Sequence, residues 1–306
     1  MTSTFQALAP ILGLIVLGYV LKRLRFLPAE VWSGIERLTY FVLFPALLIS
    51  TLGGHDLNRT PWEETLMVVL AGVTSAAIAL LLWRWRAPSM SGPTFTSIFQ
   101  GGVRFNTYVA LALIQALYGS DGLVAGAVAI AIMIPLVNVA SVSVFAIWGA
   151  SPVRGLGAGV REVLLNPLIV ACAIGGAIGL LDWRMPAPVH GVLEILGRAA
   201  LPLGLLAVGA ALRPAEVRVH LGPAVGTSFI QFGLKPIVAF ALTAYLSPGA
   251  AATGALLILF MTPTAPASYI LARQLGGDTS AMASIVTLQT LLAFAAMPVL
   301  ATLLLP

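Results

Sequence analysis

The stretch Leu259–Arg273, LFMTPTAPASYILAR, is apolar enough to lie in a bilayer but carries Pro263 and Pro266 in its middle. Each proline lacks a backbone donor and clashes with the carbonyl group one turn earlier, so a continuous helix is not expected here. In hydrocarbon, the backbone groups freed by such a break must be buried in protein or face a watered cavity. The stretch therefore predicts either a functional helix break or a plain proline kink.

The composition predicts a membrane protein. Of the 306 residues, 59% are hydrophobic and only 9% are charged, whereas soluble domains have about 25% charged residues. Lys and Arg outnumber acidic residues by 16 to 11, but most of them lie in short loops between apolar runs. Membrane topology explains this excess better than nucleic-acid binding does. The lipid bilayer is therefore the expected surrounding, and no nucleic-acid partner is expected.

The apolar runs predict ten spans, because about 20 apolar residues cross a bilayer. The spans are 5–21, 33–52, 64–83, 97–118, 123–148, 164–181, 189–211, 222–246, 251–273 and 280–304. The odd-numbered loops hold ten basic residues, which are Lys22, Arg23, Arg25, Arg84, Arg86, Arg154, Arg161, Arg213, Arg218 and Arg273. The even-numbered loops hold only Arg59 and Arg184. This bias places the odd loops in the cytoplasm and both termini outside the inner (plasma) membrane.

The second half of the sequence matches the first at one ungapped offset of 157 residues. The matched pairs are Pro10 and Pro167, Gly18 and Gly175, Pro45 and Pro202, Thr107 and Thr264, Gly119 and Gly276, and Asp121 and Asp278. Each half contains five predicted spans, an odd number, so the second half enters the membrane from the opposite side. We therefore expect a five-span repeat over 1–150, a cytoplasmic linker over 151–163, and an inverted repeat over 164–306, a construction of secondary transporters.

At the same offset, Pro263 falls on Asn106, and a threonine follows both residues. Two discontinuous helices, in spans 4 and 9, would present half-helix N-termini, whose free N–H groups suit an anion. The Asn106 amide can replace missing helical hydrogen bonds without a proline. The alternative is that Asn106 only bonds a neighbouring helix.

Four further polar side chains lie within predicted spans. Arg104 and Lys235 could pair with a carboxylate or extend to the membrane surface, whereas Gln231 and Gln289 must find partners between helices. Glu194 and Arg198 are one helical turn apart and predict a structural ion pair.

Catalytic and metal-binding patterns are missing from the sequence. It has no HExxH, GxSxG or Walker A motif, and His55, His190 and His220 are scattered. We therefore expect neither an enzyme nor a bound metal or cofactor.

Several segments resemble the auxin efflux carrier family, which includes bacterial malonate carriers. FNTYVALALIQALYG is similar to the asparagine–threonine motif of span 4, and MTPTAPASYILARQLGGD to the proline-containing span 9. LFPALLISTL and LPLGLLAVGAAL are similar to the paired proline stretches of spans 2 and 7. The resemblance covers essentially the whole chain. It implies a scaffold of spans 1, 2, 6 and 7, a transport unit of spans 3–5 and 8–10, a crossover at spans 4 and 9, and often a homodimer.

Two departures from the plant members, Leu113 in place of a proline and the short central linker, favour a small carboxylate over auxin as the substrate. The sequence thus predicts a secondary transporter of a small organic anion that works by alternating access. Its predicted site residues are Asn106, Thr107, Arg104, Thr262, Pro263, Thr264, Pro266, Lys235 and Gln231. The alternatives are a sodium-coupled symporter of the bile-acid type and a membrane sensor or scaffold that binds without transport.

Overall fold

The structure, a computed structural model, describes residues 2–58, 60–150, 165–181 and 183–305, and these ranges contain helices but no β-strand. The helices of the first half are α1 (Thr2–Arg23), α2 (Ala29–Leu38), α3 (Phe44–Gly53), α4 (Trp62–Arg86), α5 (Gly92–Val103) and α6 (Thr107–Trp148). Those of the second half are α7 (Pro167–Leu180), α8 (Ala187–Ala211), α9 (Pro214–Val217), α10 (Leu221–Phe229), α11 (Lys235–Leu246), α12 (Ala250–Met261), α13 (Ala267–Leu275) and α14 (Thr279–Leu304). Two π-helical turns, Thr39–Leu43 and Ile230–Leu234, connect α2 to α3 and α10 to α11.

Within the described ranges, seven helical segments are long and apolar enough to cross a membrane, and α7 and α12 are apolar but shorter. The seven are Phe5–Arg23, Ala29–Gly53, Trp62–Arg86, Gly92–Trp148, Ala187–Ala211, Leu221–Leu246 and Thr279–Leu304. The prediction of an all-helical, multi-pass membrane protein is confirmed. Ten spans in two inverted repeats stay a prediction. The predicted linker 151–163, with Arg154 and Arg161, and the loop residue Arg59 lie outside the described residues.

The backbone of Gly119 divides α6 into two helical parts. Its φ of 59° and ψ of −145° are not helical, and a residue with a side chain rarely adopts a positive φ. Gly276, which follows α13, has a φ of 73°. These two glycines are 157 residues apart, so the positions matched in the sequence also share a positive φ. Gly119 lies just beyond the predicted span 97–118, so the position of this turn agrees with the sequence analysis.

Four helices pack together through close backbone approaches. α1 packs against α8, and α3 packs against both α7 and α8. A Cβ atom on Gly175 would lie 2.9 Å from the Cα atom of Ile49, and one on Gly179 would lie 2.4 Å from the carbonyl oxygen of Leu52. The absence of a side chain at Gly175 and Gly179 therefore lets α7 pack closely against α3.

The remaining long helices surround α5, which is anchored at its N-terminal end. α5 contacts α4, α6, α10 and α14. Thr94 donates a hydrogen bond to Asp278 Oδ2 at 2.9 Å, and Ser97 donates to the carbonyl oxygen of Asp278 at 2.8 Å. Asp278 also caps α14, since its Oδ1 accepts from the N–H of Ala281 at 3.0 Å. The start of α5 is thereby tied to the start of α14.

Candidate binding site at two helix breaks

Two helices are interrupted inside the protein. α5 ends at Val103 and α6 begins at Thr107, with an extended backbone at Arg104 and Asn106 between them. α12 ends at Met261 and α13 begins at Ala267, and Thr262 is extended. The helix break predicted from Pro263 and Pro266 is therefore present. Both interruptions leave backbone groups without their helical partners.

The two breaks are joined by direct hydrogen bonds. Thr264 Oγ1 donates to the carbonyl oxygen of Gly101 at 2.8 Å, and Gln100 Nε2 donates to the carbonyl oxygen of Ser268 at 3.4 Å. All four residues are buried. The C-terminal end of α5 thus lies against the segment between α12 and α13.

Asn106 caps the half-helix that begins at Thr107. Its Oδ1 accepts from the N–H groups of Tyr108 and Val109, at 3.0 and 3.2 Å. The predicted ability of this amide to replace missing helical hydrogen bonds is thus observed. The other end of the amide, Nδ2, is buried and has no hydrogen-bond partner. An unpaired buried donor costs about 1–3 kcal/mol, so the absence of a hydrogen-bond partner for Nδ2 requires an explanation.

The N-terminus of α13 differs, because no side chain caps it. Pro266 precedes the helix, and Ser268 lies in its first turn with a buried Oγ that has no hydrogen-bond partner. Six buried side-chain polar atoms in the described residues lack a partner, and two of them, Asn106 Nδ2 and Ser268 Oγ, lie at the two half-helix N-termini. Both sites can therefore donate a hydrogen bond to a bound group.

Gln289 of α14 bridges the two breaks. Its Oε1 accepts from the N–H of Thr264 at 2.9 Å, and its Nε2 donates to the carbonyl oxygen of Gly101 at 2.8 Å. From the sequence, Gln289 was expected only to find a partner between helices, and this prediction is confirmed. The partners are backbone groups that the breaks have freed.

Gln231 and Lys235 bind the C-terminal ends of the interrupted helices. Gln231, which lies in the π-helical turn, donates through Nε2 to the carbonyl oxygen of Thr262. Lys235 Nζ donates to Gln231 Oε1 at 2.9 Å and to the carbonyl oxygens of Val103 and Arg104 at 3.4 and 3.3 Å. π-helical turns are frequent at functional sites, and this one is followed directly by the buried lysine.

The Arg104 side chain turns toward other polar side chains. Its Nη2 donates to Asn138 Oδ1 at 2.8 Å, and its Nη1 donates to Gln100 Oε1 at 3.3 Å. Arg104 and Lys235 therefore bring two positive charges to the breaks. Their neighbours Gln100, Asn138, Gln231 and Gln289 are uncharged hydrogen-bonding residues.

The structure brings most of the predicted site residues into one hydrogen-bonded region. Thr262, Thr264, Gln231, Lys235 and Arg104 take part in it, and Asn106 caps the first turn of α6 beside it. Pro263 and Pro266 are buried in the break, and Thr107 is half-buried as the first residue of α6. Sequence reasoning missed Gln100, Asn138 and Ser268. The only signal for the first two was an uncharged polar side chain inside an apolar run.

Two neighbouring cavities open near the C-terminal end of α3 and the N-terminal end of α8. They have volumes of about 340 and 480 Å³ and share Gly54, His55 and His190. The larger one is also lined by Gln115, nine residues after Asn106, or about 13 Å along a helix. The predicted ion pair of Glu194 and Arg198 is confirmed at 2.6 Å and lies beside this cavity. Asn106 itself has no exposed surface.

A helical membrane protein with two interrupted apolar helices that meet in its interior has the construction of a membrane transport protein. Comparisons with known proteins agree. The family model described as "Membrane transport protein" matches residues 3–301, and the chain therefore belongs to that family, which includes the auxin efflux carriers. The resemblance stated from the sequence is confirmed. This is a family of transporters, not enzymes.

Two curated relatives match nearly the whole chain. An "Uncharacterized transporter" of Methanothermobacter thermautotrophicus is 24% identical over an aligned length of 306 residues, and the alignment covers 97% of this chain and 97% of the relative. A "Putative malonate transporter" of Rhizobium meliloti is 26% identical over an aligned length of 304 residues, and the alignment covers 94% of this chain and 91% of the relative.

Proposed function

We propose that the protein is a secondary transporter that moves a small organic anion, a carboxylate such as malonate, across the inner membrane by alternating access. The anion binds between the two helix breaks. The observation that carries this proposal is the pair of buried, unpartnered polar atoms, Asn106 Nδ2 and Ser268 Oγ, at two half-helix N-termini. A carboxylate would accept hydrogen bonds from both and would gain from the positive ends of the helix dipoles.

Charge supports an anion over a neutral or cationic substrate. Lys235 and Arg104 contribute two positive charges to a region built from neutral hydrogen-bonding groups. Inside a membrane such charges are costly, and they are usually retained for a function. The name of the Rhizobium relative directs the choice among anions to malonate, a dicarboxylate whose two negative charges match the two positive charges of the region in number.

The architecture that we propose has ten spans in two inverted five-span repeats, over 1–150 and 164–306, with spans 4 and 9 as the broken crossover helices. The shared positive φ of Gly119 and Gly276 supports it, as does the pairing of the break near Asn106 with the break near Pro263. The packed group α1, α3, α7 and α8 is the proposed scaffold. The cytoplasmic charge bias places both termini outside.

Alternating access requires the buried site to open to each side in turn. In this structure Asn106 is fully buried, and Gln115, in the part of α6 that precedes Gly119, lines the larger of the two cavities. By the charge bias, these cavities face the outside. We propose that the helices that carry the breaks move relative to the scaffold of α1, α3, α7 and α8. This movement connects the larger cavity to the site.

Uptake of labelled malonate into proteoliposomes tests this function, with neutral malonamide as a competitor of similar shape. We expect malonate uptake to be saturable, and we expect malonamide not to inhibit it. Asn106→Ala should weaken malonate binding about ten- to a hundred-fold, the effect of losing a hydrogen bond to a charged group. Asn166→Ala is the matched control, because Asn166 also caps a helix, α7, through the N–H of Leu168 at 3.0 Å, but its Nδ2 already donates to Tyr40 Oη at 3.0 Å.

Other outcomes would favour the alternatives. Uptake that requires sodium would indicate a symporter of the bile-acid type. Saturable binding without flux would indicate a sensor or scaffold. Failure of every mono- and dicarboxylate to bind would contradict the proposal.

A further inference from the structure

Lys235 holds its charged group in a fully enclosed position. The residue has no exposed surface, and its Nζ is bound by three oxygen atoms at 2.9–3.4 Å. Two are the backbone carbonyl oxygens of Val103 and Arg104, and the third is Oε1 of Gln231. The Phe260 ring lies 5.8 Å from Nζ, within the range of a cation–π contact. The three donors of the ammonium therefore meet three acceptors.

These acceptors are all electrically neutral. The ion pairs found in the described part of the chain, Glu194 with Arg198 and His220 with Asp278, do not involve Lys235. A buried charge without an opposite charge is costly, so the site must compensate it through dipoles. Val103 is the last residue of α5, and the C-terminal end of a helix carries a partial negative charge that favours a cation.

Two carbonyl oxygens and one amide oxygen at the end of an interrupted helix are also suitable ligands for an alkali cation. Hard cations prefer oxygen ligands, and in discontinuous transporter helices the C-terminal ends and unwound carbonyls coordinate the coupling ion. In this protein the amino group of Lys235 occupies that position.

We propose that the ammonium of Lys235 is a built-in cation that replaces a bound alkali ion at the end of α5. The protein then binds its anion without sodium, and removal of the side chain creates a site for a monovalent cation. The inference rests on the proposed function only in taking an anion as the ligand at the breaks, since the coordination itself does not depend on which ligand is transported.

Thermal unfolding of purified variants in different salts tests this proposal. Lys235→Ala frees the three oxygens and leaves space between them. Lys235→Ser does the same and adds a hydroxyl ligand. Lys235→Met is the matched control, because its unbranched apolar side chain fills the space without a charge. Tm is measured in NaCl, LiCl, KCl and choline chloride at equal ionic strength, so that the chloride concentration stays constant.

For the wild type and for Lys235→Met, we expect that the Tm of each protein is the same in an alkali chloride as in choline chloride. For Lys235→Ala and Lys235→Ser, we expect a saturable rise in Tm of roughly 2–5 °C with one of the alkali ions. If folded Lys235→Ala or Lys235→Ser can be purified only in the presence of that ion, this result would also support the proposal. Equal Tm values in all four salts for both variants would overturn it, and so would an alkali-ion response in the wild type.

Malonate binding to the wild type in sodium and in choline buffers is the second measurement, and it needs no variant. Equal affinities are expected, whereas a requirement for sodium would overturn the proposal. The two hypotheses fail separately. If no carboxylate binds but Lys235→Ala gains an alkali-ion response, the proposed substrate is wrong and the cation position stands. If malonate binds but no such response appears, the inference is wrong and the proposed function stands.

Discussion

Thr264 Oγ1 donates a hydrogen bond to the carbonyl oxygen of Gly101 at 2.8 Å, and this bond joins the two halves of the chain where each has an interrupted helix. The same carbonyl oxygen also accepts from Gln289 Nε2 at 2.8 Å. Gly101 belongs to the last turn of α5, so both donors satisfy a carbonyl group whose helical partner the break has removed. The breaks therefore hold each other open.

Gln289→Leu tests this arrangement. The substitution keeps the approximate volume but leaves the N–H of Thr264 without an acceptor, and it removes one donor from Gly101. An unsatisfied buried donor costs about 1–3 kcal/mol, so Tm in detergent should fall by several degrees. Thr290→Val is the control, because the Thr290 hydroxyl bonds only the carbonyl oxygen of Val286 in its own helix. Equal losses for the two variants would show that the Gln289 bridge does not stabilise the breaks.

The location of the breaks was predictable from the sequence, whereas their partners were not. Pro263 and Pro266 exclude a regular helix by covalent geometry, and the offset of 157 residues points from Pro263 to Asn106. A lone Gln or Asn in an apolar span shows only that a partner exists. Which neighbour Gln289 or Asn138 contacts depends on helix rotation and packing, which no local pattern determines.

Lys235 shows the same limit for a charged residue. Its position inside a span indicated a functional role, with a carboxylate or the membrane surface as the expected partner. The structure gives it carbonyl oxygens at the end of α5, a partner that becomes available only when that helix is interrupted. Gly119 turns the chain without a loop between the two parts of α6, so the ends of predicted spans 4 and 5 near residue 119 fall within one helical segment.

The turn at Gly119 gives a prediction about backbone strain. A Cβ atom there would meet nothing within 4 Å, so the cost of Gly119→Ala arises from its φ of 59° alone. We expect a loss of about 1–3 kcal/mol in the free energy of unfolding. Gly176→Ala is the matched control, because this glycine lies within α7 and also has open space around it. There alanine should be neutral or stabilising by up to about 1 kcal/mol. An unchanged Tm for Gly119→Ala would contradict the left-handed turn.

The proposed orientation can be tested with reporters. Ten basic residues in the odd loops against two in the even loops place both termini outside. A reporter that is active only in the cytoplasm should be silent when fused after Pro306 and active when inserted in the 151–163 linker. The opposite pattern would reverse the assignment of the two sides and place the cavities near His55 and His190 in the cytoplasm.

The last prediction concerns what keeps the chain extended after Met261. In a continuous helix, the N–H of residue 263 would bond the carbonyl oxygen of Leu259. Proline has no N–H, and Thr262 Oγ1 already donates to that oxygen at 3.0 Å. Pro263→Ala adds a buried donor, but Gln289 and Gln231 still bind the residues on either side and keep the backbone extended. In that conformation the new N–H does not reach the carbonyl oxygen of Leu259 and stays unsatisfied. We expect a loss of about 1–3 kcal/mol in stability, with malonate affinity within about threefold of wild type.

The double variant Thr262→Val, Pro263→Ala should behave differently. Valine keeps the shape of threonine but removes the hydrogen bond that the Leu259 carbonyl oxygen accepts from Thr262 Oγ1. That buried oxygen then regains a donor if the new N–H at position 263 bonds it and extends α12 by one residue, so the helical conformation is favoured. Part of the lost stability should return, while malonate affinity should fall more than tenfold, because the backbone before α13 is no longer extended. Thr262→Val alone should have little effect on affinity, since Pro263 still prevents the helical bond. Measurements of Tm and malonate affinity for the three variants test this prediction. Loss of binding in Pro263→Ala alone, with unchanged or raised Tm, would show that the proline by itself holds the helix open.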